Sequence, residues 1–312
     1  MNKLTSNIFS VIGFVATAFL LFTSYTDRVE NQNAQANEED KTTLKSEYNL
    51  PQVVKSIPLA KIPSFAGEEM PINIDTKERL DRELTVNSYW HSSTLLNIKN
   101  AKKYFPIIER ILAENGVPDD FKYLAVAESS LRNVTSGAGA RGFWQFRTLA
   151  AKEMGLEVNS EVDERYHLEK STEAAANYLK KLKERFGSWT NAAAAYNVGP
   201  TNYSKSLRDQ GHDSFYDLNL NPETNRYVFR LIAIKEIMKD PSAFGFYIEP
   251  EDEYDSIEDV YEVEVNESVP NWGEFARKYG ISYRLLKYYN PWLKDDKLTV
   301  KKNIYFIKIP KQ

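Results

Sequence analysis

Residues 77–240 carry an almost unbroken helical pattern, and one acid sits on a stripe where that pattern calls for an apolar side chain. In "KERLDRELTVNSYW", Leu80, Leu84 and Val86 fall near helical spacing, and "AKKYFPIIERILAENG" closes on a glycine that can cap a helix C-terminus. "VPDDFKYLAVAESSL" opens with Pro118 and two acids, a good helix start. "STEAAANYLKKLKERFG" has a cap signal at Ser171 or Thr172, Glu173 in its first turn and Gly187 as its stop. "SWTNAAAAYN" and "PETNRYVFRLIAIKEIMK" complete the pattern, which predicts an all-α domain. Within it, Phe121, Leu124, Ala125 and Glu128 stand at i, i+3, i+4 and i+7, so the carboxylate of Glu128 is expected to face inward. Desolvation raises a carboxyl pKa, and a carboxyl still protonated near neutrality can act as a general acid. Read alone, the same residue also fits a helix-terminal glutamate that reaches solvent past the last turn.

What flanks this domain differs in character. Lys3 precedes the apolar run 8–22, "IFSVIGFVATAFLLF", and a polar stretch follows, the layout of an export signal. Fifteen residues are short for a membrane span, which needs about 20. The A-x-A tripeptide at 34–36 lies far downstream for cleavage, so residues 1–33 read as a signal sequence or a signal anchor, with membrane association possible through that segment. Either reading expects an exported, periplasmic or envelope-associated protein. Residues 34–76, polar and then punctuated by Pro51, Pro58, Pro63 and Pro71, read as a linker and extended arm. After Pro241 an acidic linker, 241–258, leads into residues 259–312. There "YEVEV" alternates like a strand, "NWGEFARKYG" and "SYRLLKYYN" read as short helices, and "NIYFIKIP" as a closing strand.

Composition narrows the chemistry. Forty basic against forty-four acidic residues give a net charge of −4 with no basic block of the kind that tracks phosphates, which argues against a nucleic-acid partner. The chain has no cysteine, which removes disulfides, thiol catalysis and a lipidated cysteine anchor. His91, His167 and His212 have no metal-ligand spacing, and no cofactor is expected.

Three later segments bear on Glu128. "TSGAGARGFWQF" sets Gly137, Gly139 and Gly142 beside Trp144 and Phe146. Glycines allow close backbone approach and aromatic faces stack on sugar rings, while the Gly-Lys-Ser/Thr ending of a phosphate loop is missing. The loop therefore favours a neutral ligand. "AAAAYNVG" ends a helix of small residues with Tyr196 and Asn197, which can project into a cleft or serve only for packing and capping. "PETNRYV" puts Glu223 and Tyr227 one turn apart, a second polar pair or simply a helix-start acid and a core tyrosine.

Taken in order, "AVAESSL", "SGAGARGFWQF", "AAAAYNVG" and "ETNRYV" resemble the lysozyme-like lytic transglycosylases, the family 1 enzymes with the soluble-type catalytic fold, and among them the membrane-bound D type. The likeness spans roughly residues 65–240. It implies a lysozyme-like all-helical catalytic domain acting on peptidoglycan glycan strands. Glu128 matches the single catalytic acid/base, Ser136 the serine beside it, and Gln145 the glutamine of the Gly-Leu-Met-Gln segment. Tyr196 and Asn197 match the Tyr-Asn pair lining the cleft, and Glu223 and Tyr227 the late Glu and Tyr. Trp144 stands where many relatives carry Met, Asn225 replaces an Arg, and the interval from Glu128 to Ser136 is one residue shorter than in many members. Residues 259–312 resemble a LysM domain, a small α+β module for N-acetylglucosamine-containing glycans, although "VNESVPNW" departs from its usual Gly-Asp-Thr/Ser-Leu turn.

The implied reaction cleaves the MurNAc–GlcNAc β-1,4 bond and leaves 1,6-anhydro-MurNAc ends. Ordinary glycosidases use two carboxylates. Asp163 and Glu164 are candidate partners, but with Arg165 adjacent an ion-pair or capping role is the better expectation. Two rivals stay open on sequence: a hydrolytic muramidase on the same fold, and a non-catalytic wall-binding protein.

Overall fold

The structure is a computed structural model that describes residues 56–57 and 63–311. The segment expected to be a signal or anchor, and most of the expected arm, lie outside the described residues. Among the described residues no helix is long and apolar enough to cross a membrane.

The larger domain is built of helices: α1 (Ile74–Tyr89), α2 (His91–Glu114), α3 (Lys122–Ser129), α4 (Thr148–Glu153), α5 (Leu168–Phe186), α6 (Trp189–Val198), α7 (Pro200–Gln210) and α8 (Pro222–Lys239). Their ends follow the local chemistry. Asn73 opens α1 through a capping box with Thr76, whose amide donates to Asn73 Oδ1 at 2.9 Å. Gly187, in the left-handed region, closes α5. The expected start of α5 at Ser171 or Thr172 is corrected: the helix begins at Leu168, and both hydroxyls turn inward to accepting carbonyls, Thr172 Oγ1 donating to Leu168 O at 2.7 Å. A hydroxyl that can satisfy itself on the preceding turn imitates a cap in sequence.

Helix α6 is the central post. Ala192, Ala193, Ala194 and Ala195 are all fully buried, and their small side chains let α5 and α8 pack closely against it. The apolar stripe leading into and along α3 is as expected, with Phe121, Leu124 and Ala125 fully buried.

The reading of residues 34–76 as linker and arm is corrected at its C-terminal end. Ser64–Phe65 (β1) and Glu68–Glu69 (β2) form a tight antiparallel hairpin. Phe65 and Met70 are buried in the main core, and Phe65 packs edge-on against Phe121 at 5.1 Å between ring centres. The Glu68 carboxylate accepts the amides of Trp189 and Thr190 at 2.7 and 2.8 Å, so it caps the N-terminus of α6 from 121 residues away.

The small domain pairs Val260–Val265 (β3) with Tyr305–Pro310 (β4) antiparallel, in the register Val260↔Pro310 to Val265↔Tyr305. Between them come α9 (Trp272–Lys278) and α10 (Tyr283–Tyr289), as the sequence pattern expects. Trp272, Ala276, Leu286, Ile307 and Ile309 form its core. Val162, from the larger domain, belongs to that same core. Around it Asp163 N donates to Trp292 O at 2.9 Å and Lys294 N to Glu161 O at 2.8 Å. The two domains thus share backbone hydrogen bonds as well as side chains. The fold class read from sequence, a mainly helical domain plus a small strand-helix-helix-strand unit, is the fold observed.

Candidate active site

Glu128 sits in the last turn of α3, which ends at Ser130 in the left-handed conformation. The residue as a whole is partly buried, and the Tyr227 hydroxyl donates to its Oε1 at 2.5 Å. Tyr227 is itself buried in the first turns of α8, 99 residues along the chain. Burial pushes the Glu128 pKa up from 4.5 to about 7; the Tyr227 hydrogen bond opposes that shift, nearby Glu223 adds to it and Arg230 opposes it. Such a carboxyl can give and take a proton near neutral pH. Burial also raises Tyr227 and Tyr196 well above the ordinary tyrosine range, so both remain hydroxyls.

The other sequence-derived residues fall around this carboxyl in different ways. Tyr196, at the end of α6, donates to Trp144 O at 2.6 Å and so ties the glycine-rich loop to the central helix. Asn197 Oδ1 accepts the Thr224 hydroxyl at 2.8 Å, which links the end of α6 to the start of α8. Glu223 is exposed in the first turn of α8 and pairs with Arg230 at 3.1 Å. Gln145 has a left-handed backbone, φ 49°, and its Nε2 donates to the carbonyls of Gly142 and Val134 at 2.8 and 3.2 Å. Its side chain is thereby fixed within the loop. The Ser136 hydroxyl accepts from Ala140 N at 3.0 Å, so it closes the turn at 136–140, and its bond is to the loop rather than to Glu128.

One expectation is corrected outright. Trp144 is fully buried, with Nε1 donating to Thr172 Oγ1 at 3.0 Å, and Phe146 is also in the core. Neither ring offers a face to a sugar. Next to a glycine run, an aromatic that anchors the loop from below looks in sequence like one that presents a surface above it.

The loop is anchored by a buried ion network. Arg165 donates to both oxygens of Asp163 at 2.8 and 2.7 Å, and its other nitrogen to Phe146 O at 3.2 Å. Arg141 adds a second contact to Asp163 at 3.2 Å. The arginine partners hold the Asp163 carboxyl below its ordinary range despite burial. Glu164 accepts from Glu157 N at 2.8 Å and from Lys170. Both acids therefore have the structural roles expected of them. Gly142 makes this packing possible: a Cβ there would lie 1.8 Å from Arg165 O, and its φ is +80°.

Sequence reasoning missed Arg230 and Glu83. Glu83 is fully buried on α1, accepts from Arg226 Nε at 2.7 Å, and lies 3.6 Å from Arg230 Nε. It fixes the guanidinium that faces Glu223 and acts on Glu128. The spacing Glu223, Tyr227, Arg230, two successive turns of α8, was the available signal. Among the described residues no cluster of three or more histidine, aspartate or glutamate side chains could hold a metal.

The comparisons agree with this organisation. Residues 105–219 match the family model described as Transglycosylase SLT domain, and residues 261–312 match the Soluble lytic transglycosylase C-terminal LysM-like domain. The chain therefore carries an SLT transglycosylase domain joined to a C-terminal LysM-like domain. It is 28% identical over 259 residues to Membrane-bound lytic murein transglycosylase D from two strains of Escherichia coli, covering 80% of this chain and 55% of each relative. It thus spans about half the length of the curated relatives it matches. A crystal structure of an inactive mutant of lytic transglycosylase Slt from Pseudomonas aeruginosa aligns with TM-score 0.37 and 19% identity, over 49% of this chain and 26% of that one.

Proposed function

We propose that this chain is a peptidoglycan lytic transglycosylase in which Glu128 is the single acid/base. The observation that carries the reading is the Glu128 carboxyl, raised by burial to about 7 and held by the Tyr227 hydroxyl. The acid nearest to it in effect, Glu223, is exposed and paired with Arg230, a poor arrangement for a second catalytic carboxylate.

In this reading Glu128 gives its proton to the glycosidic oxygen between N-acetylmuramic acid and N-acetylglucosamine, and that C–O bond breaks with assistance from the substrate's acetamido group. The resulting carboxylate then takes the proton of the muramoyl C6 hydroxyl, whose oxygen bonds to C1 as the acetamido oxygen leaves it, which closes the 1,6-anhydro ring and restores the acetamido group. Glu128 ends protonated as it began, and no water is consumed. Tyr227 steadies the carboxylate between the two steps. Gln145 and Tyr196 shape the loop that borders the sugar, with Asn197 bracing the helix end beside it. The substrate and the N-terminal signal layout together point to the bacterial cell envelope, and the SLT and LysM-like family matches of this chain support peptidoglycan as the partner.

Digestion of purified peptidoglycan with mass spectrometry of the products tests this. Anhydro ends that vanish in Glu128→Gln are expected. Reducing ends in their place would make the protein a muramidase, and intact strands would make it a binding protein.

A further inference from the structure

Packing alone does not explain Glu83. It is fully buried on the stripe of α1 that also carries Leu80 and Leu84, where that helix packs against α8. An apolar side chain would fill the same place without taking a carboxylate out of water. What Glu83 adds is a grip on arginines. Its Oε1 accepts from Arg226 Nε at 2.7 Å, and Arg82 of its own helix pairs with it. Its Oε2, buried without a hydrogen bond among the described residues, lies 3.6 Å from Arg230 Nε. Of these three side chains Arg230 is the least exposed, 19% against 34 and 51%, so it is the cation drawn inward. Arg79, also between α1 and α8, is committed to Asn225 O and Asp75.

The position of Arg230 carries this grip to the candidate site. Glu223, Tyr227 and Arg230 stand at i, i+4 and i+7 on one face of α8, and the middle residue is the one whose hydroxyl donates to Glu128. Arg230 thus has two acids to choose between, Glu83 in the core and Glu223, 3.1 Å away and largely in water. An exposed acid holds a guanidinium weakly, whereas a buried one, little screened by solvent, fixes it. The charge of Glu223 disfavours the ionised form of Glu128 and that of Arg230 favours it. Tyr227 and Tyr196 also face Glu128 but remain hydroxyls, and the Lys122–Glu109 pair joins α3 to α2 at the opposite end of α3.

The assigned reaction passes through a carboxylate at Glu128 between its two proton transfers, and a cation already fixed in place stabilises that charge without reorganising. We propose that Glu83 is a positioning residue for this reaction: from α1 it holds the Arg230 guanidinium on the face of α8 that meets Glu128, against the pull of Glu223, so that a cation is in place when Glu128 becomes a carboxylate. The proposal rests on the transglycosylase reading and deepens it, and it requires neither Glu83 nor Arg230 to touch the sugar.

The pH profile of anhydro-end formation from purified peptidoglycan by the full chain tests it. Arg230→Met removes the cation, so the alkaline limb of kcat/KM should rise by about half a pH unit and kcat should fall about threefold, the factor that half a unit represents. Arg230→Lys, which keeps the charge, should restore both. Glu83→Asp keeps the buried charge but draws the carboxylate back by one methylene. It should raise the limb by a similar amount, with no further effect once Arg230 is replaced by methionine. If Glu83 acted only as a nearby charge, or served only to hold the fold, Glu83→Asp would leave the limb in place, and that result overturns the proposal. Should Glu83→Asp fail to fold, the Arg230 variants still decide: identical limbs for Arg230→Met and Arg230→Lys overturn it. If the unmodified protein forms no anhydro ends, the transglycosylase reading itself fails; if it forms them and the limbs stay fixed, only the positioning role fails.

Discussion

Replacing Glu128 with glutamine should stabilise the protein, and only toward the alkaline end of its range. The folded carboxyl titrates at about 7 against an ordinary 4.5, so between those values the folded state keeps a proton that the unfolded state has lost. A raised folded pKa contributes stability that is complete below the unfolded value and is lost as pH rises through the folded one. The interval from 4.5 to about 7 corresponds to at most about 3.5 kcal/mol, at about 1.4 kcal/mol for each unit. Glutamine has the same shape, accepts from Tyr227 through its amide oxygen and never ionises. Near pH 4 the two proteins should therefore melt together, and near pH 8 the variant should melt several degrees higher. Calorimetric or urea unfolding across that range measures the difference. A gap that does not change with pH, or a wild type more stable at the alkaline end, would refute the placement of this carboxyl in a desolvated site.

Two further outcomes follow from the site. Tyr227→Phe removes the hydrogen bond that favours ionised Glu128, so the alkaline limb of the kcat/KM profile on peptidoglycan should move up by about one pH unit; a limb that stays in place would mean that the bond does not tune the acid. Gly142→Ala forces a Cβ against the Arg165 carbonyl and should cost at least about 2 kcal/mol, with activity falling as the loop bearing Gln145 shifts, read by thermal melting beside the digestion assay.

The legible parts of the molecule were those written within one element. The inward placement of Glu128 could be read because Leu124, Ala125 and Glu128 of α3 share a stripe with Phe121 just before it, and the small domain because its strands alternate and its helices have asparagine and serine caps at Asn271 and Ser282. What could not be read was built between distant segments. The Tyr227 hydrogen bond joins positions 99 apart, and the Glu68 cap on α6 spans 121 residues. The hairpin at Ser64–Phe65 and Glu68–Glu69 has strands too short to show a period of two, and the prolines around it read as linker. Trp144 illustrates a different ambiguity. An aromatic residue has the same letter whether its ring faces solvent or core, and only its buried partner, Thr172, decides.

The reach of Val162 into the core of the small domain has a consequence for anyone cutting this chain apart. Domains on flexible tethers can be exchanged at the tether, but here the seam runs through a loop of the helical domain. Excising the chain after α8 would strip the cover from Val162 and leave the Asp163 amide without the Trp292 carbonyl, at the base of the arginine network that supports the Gln145 loop. A chimera that takes the small domain from elsewhere would have to bring a matching 157–163 segment with it. The transferable piece is therefore the pair of matched surfaces.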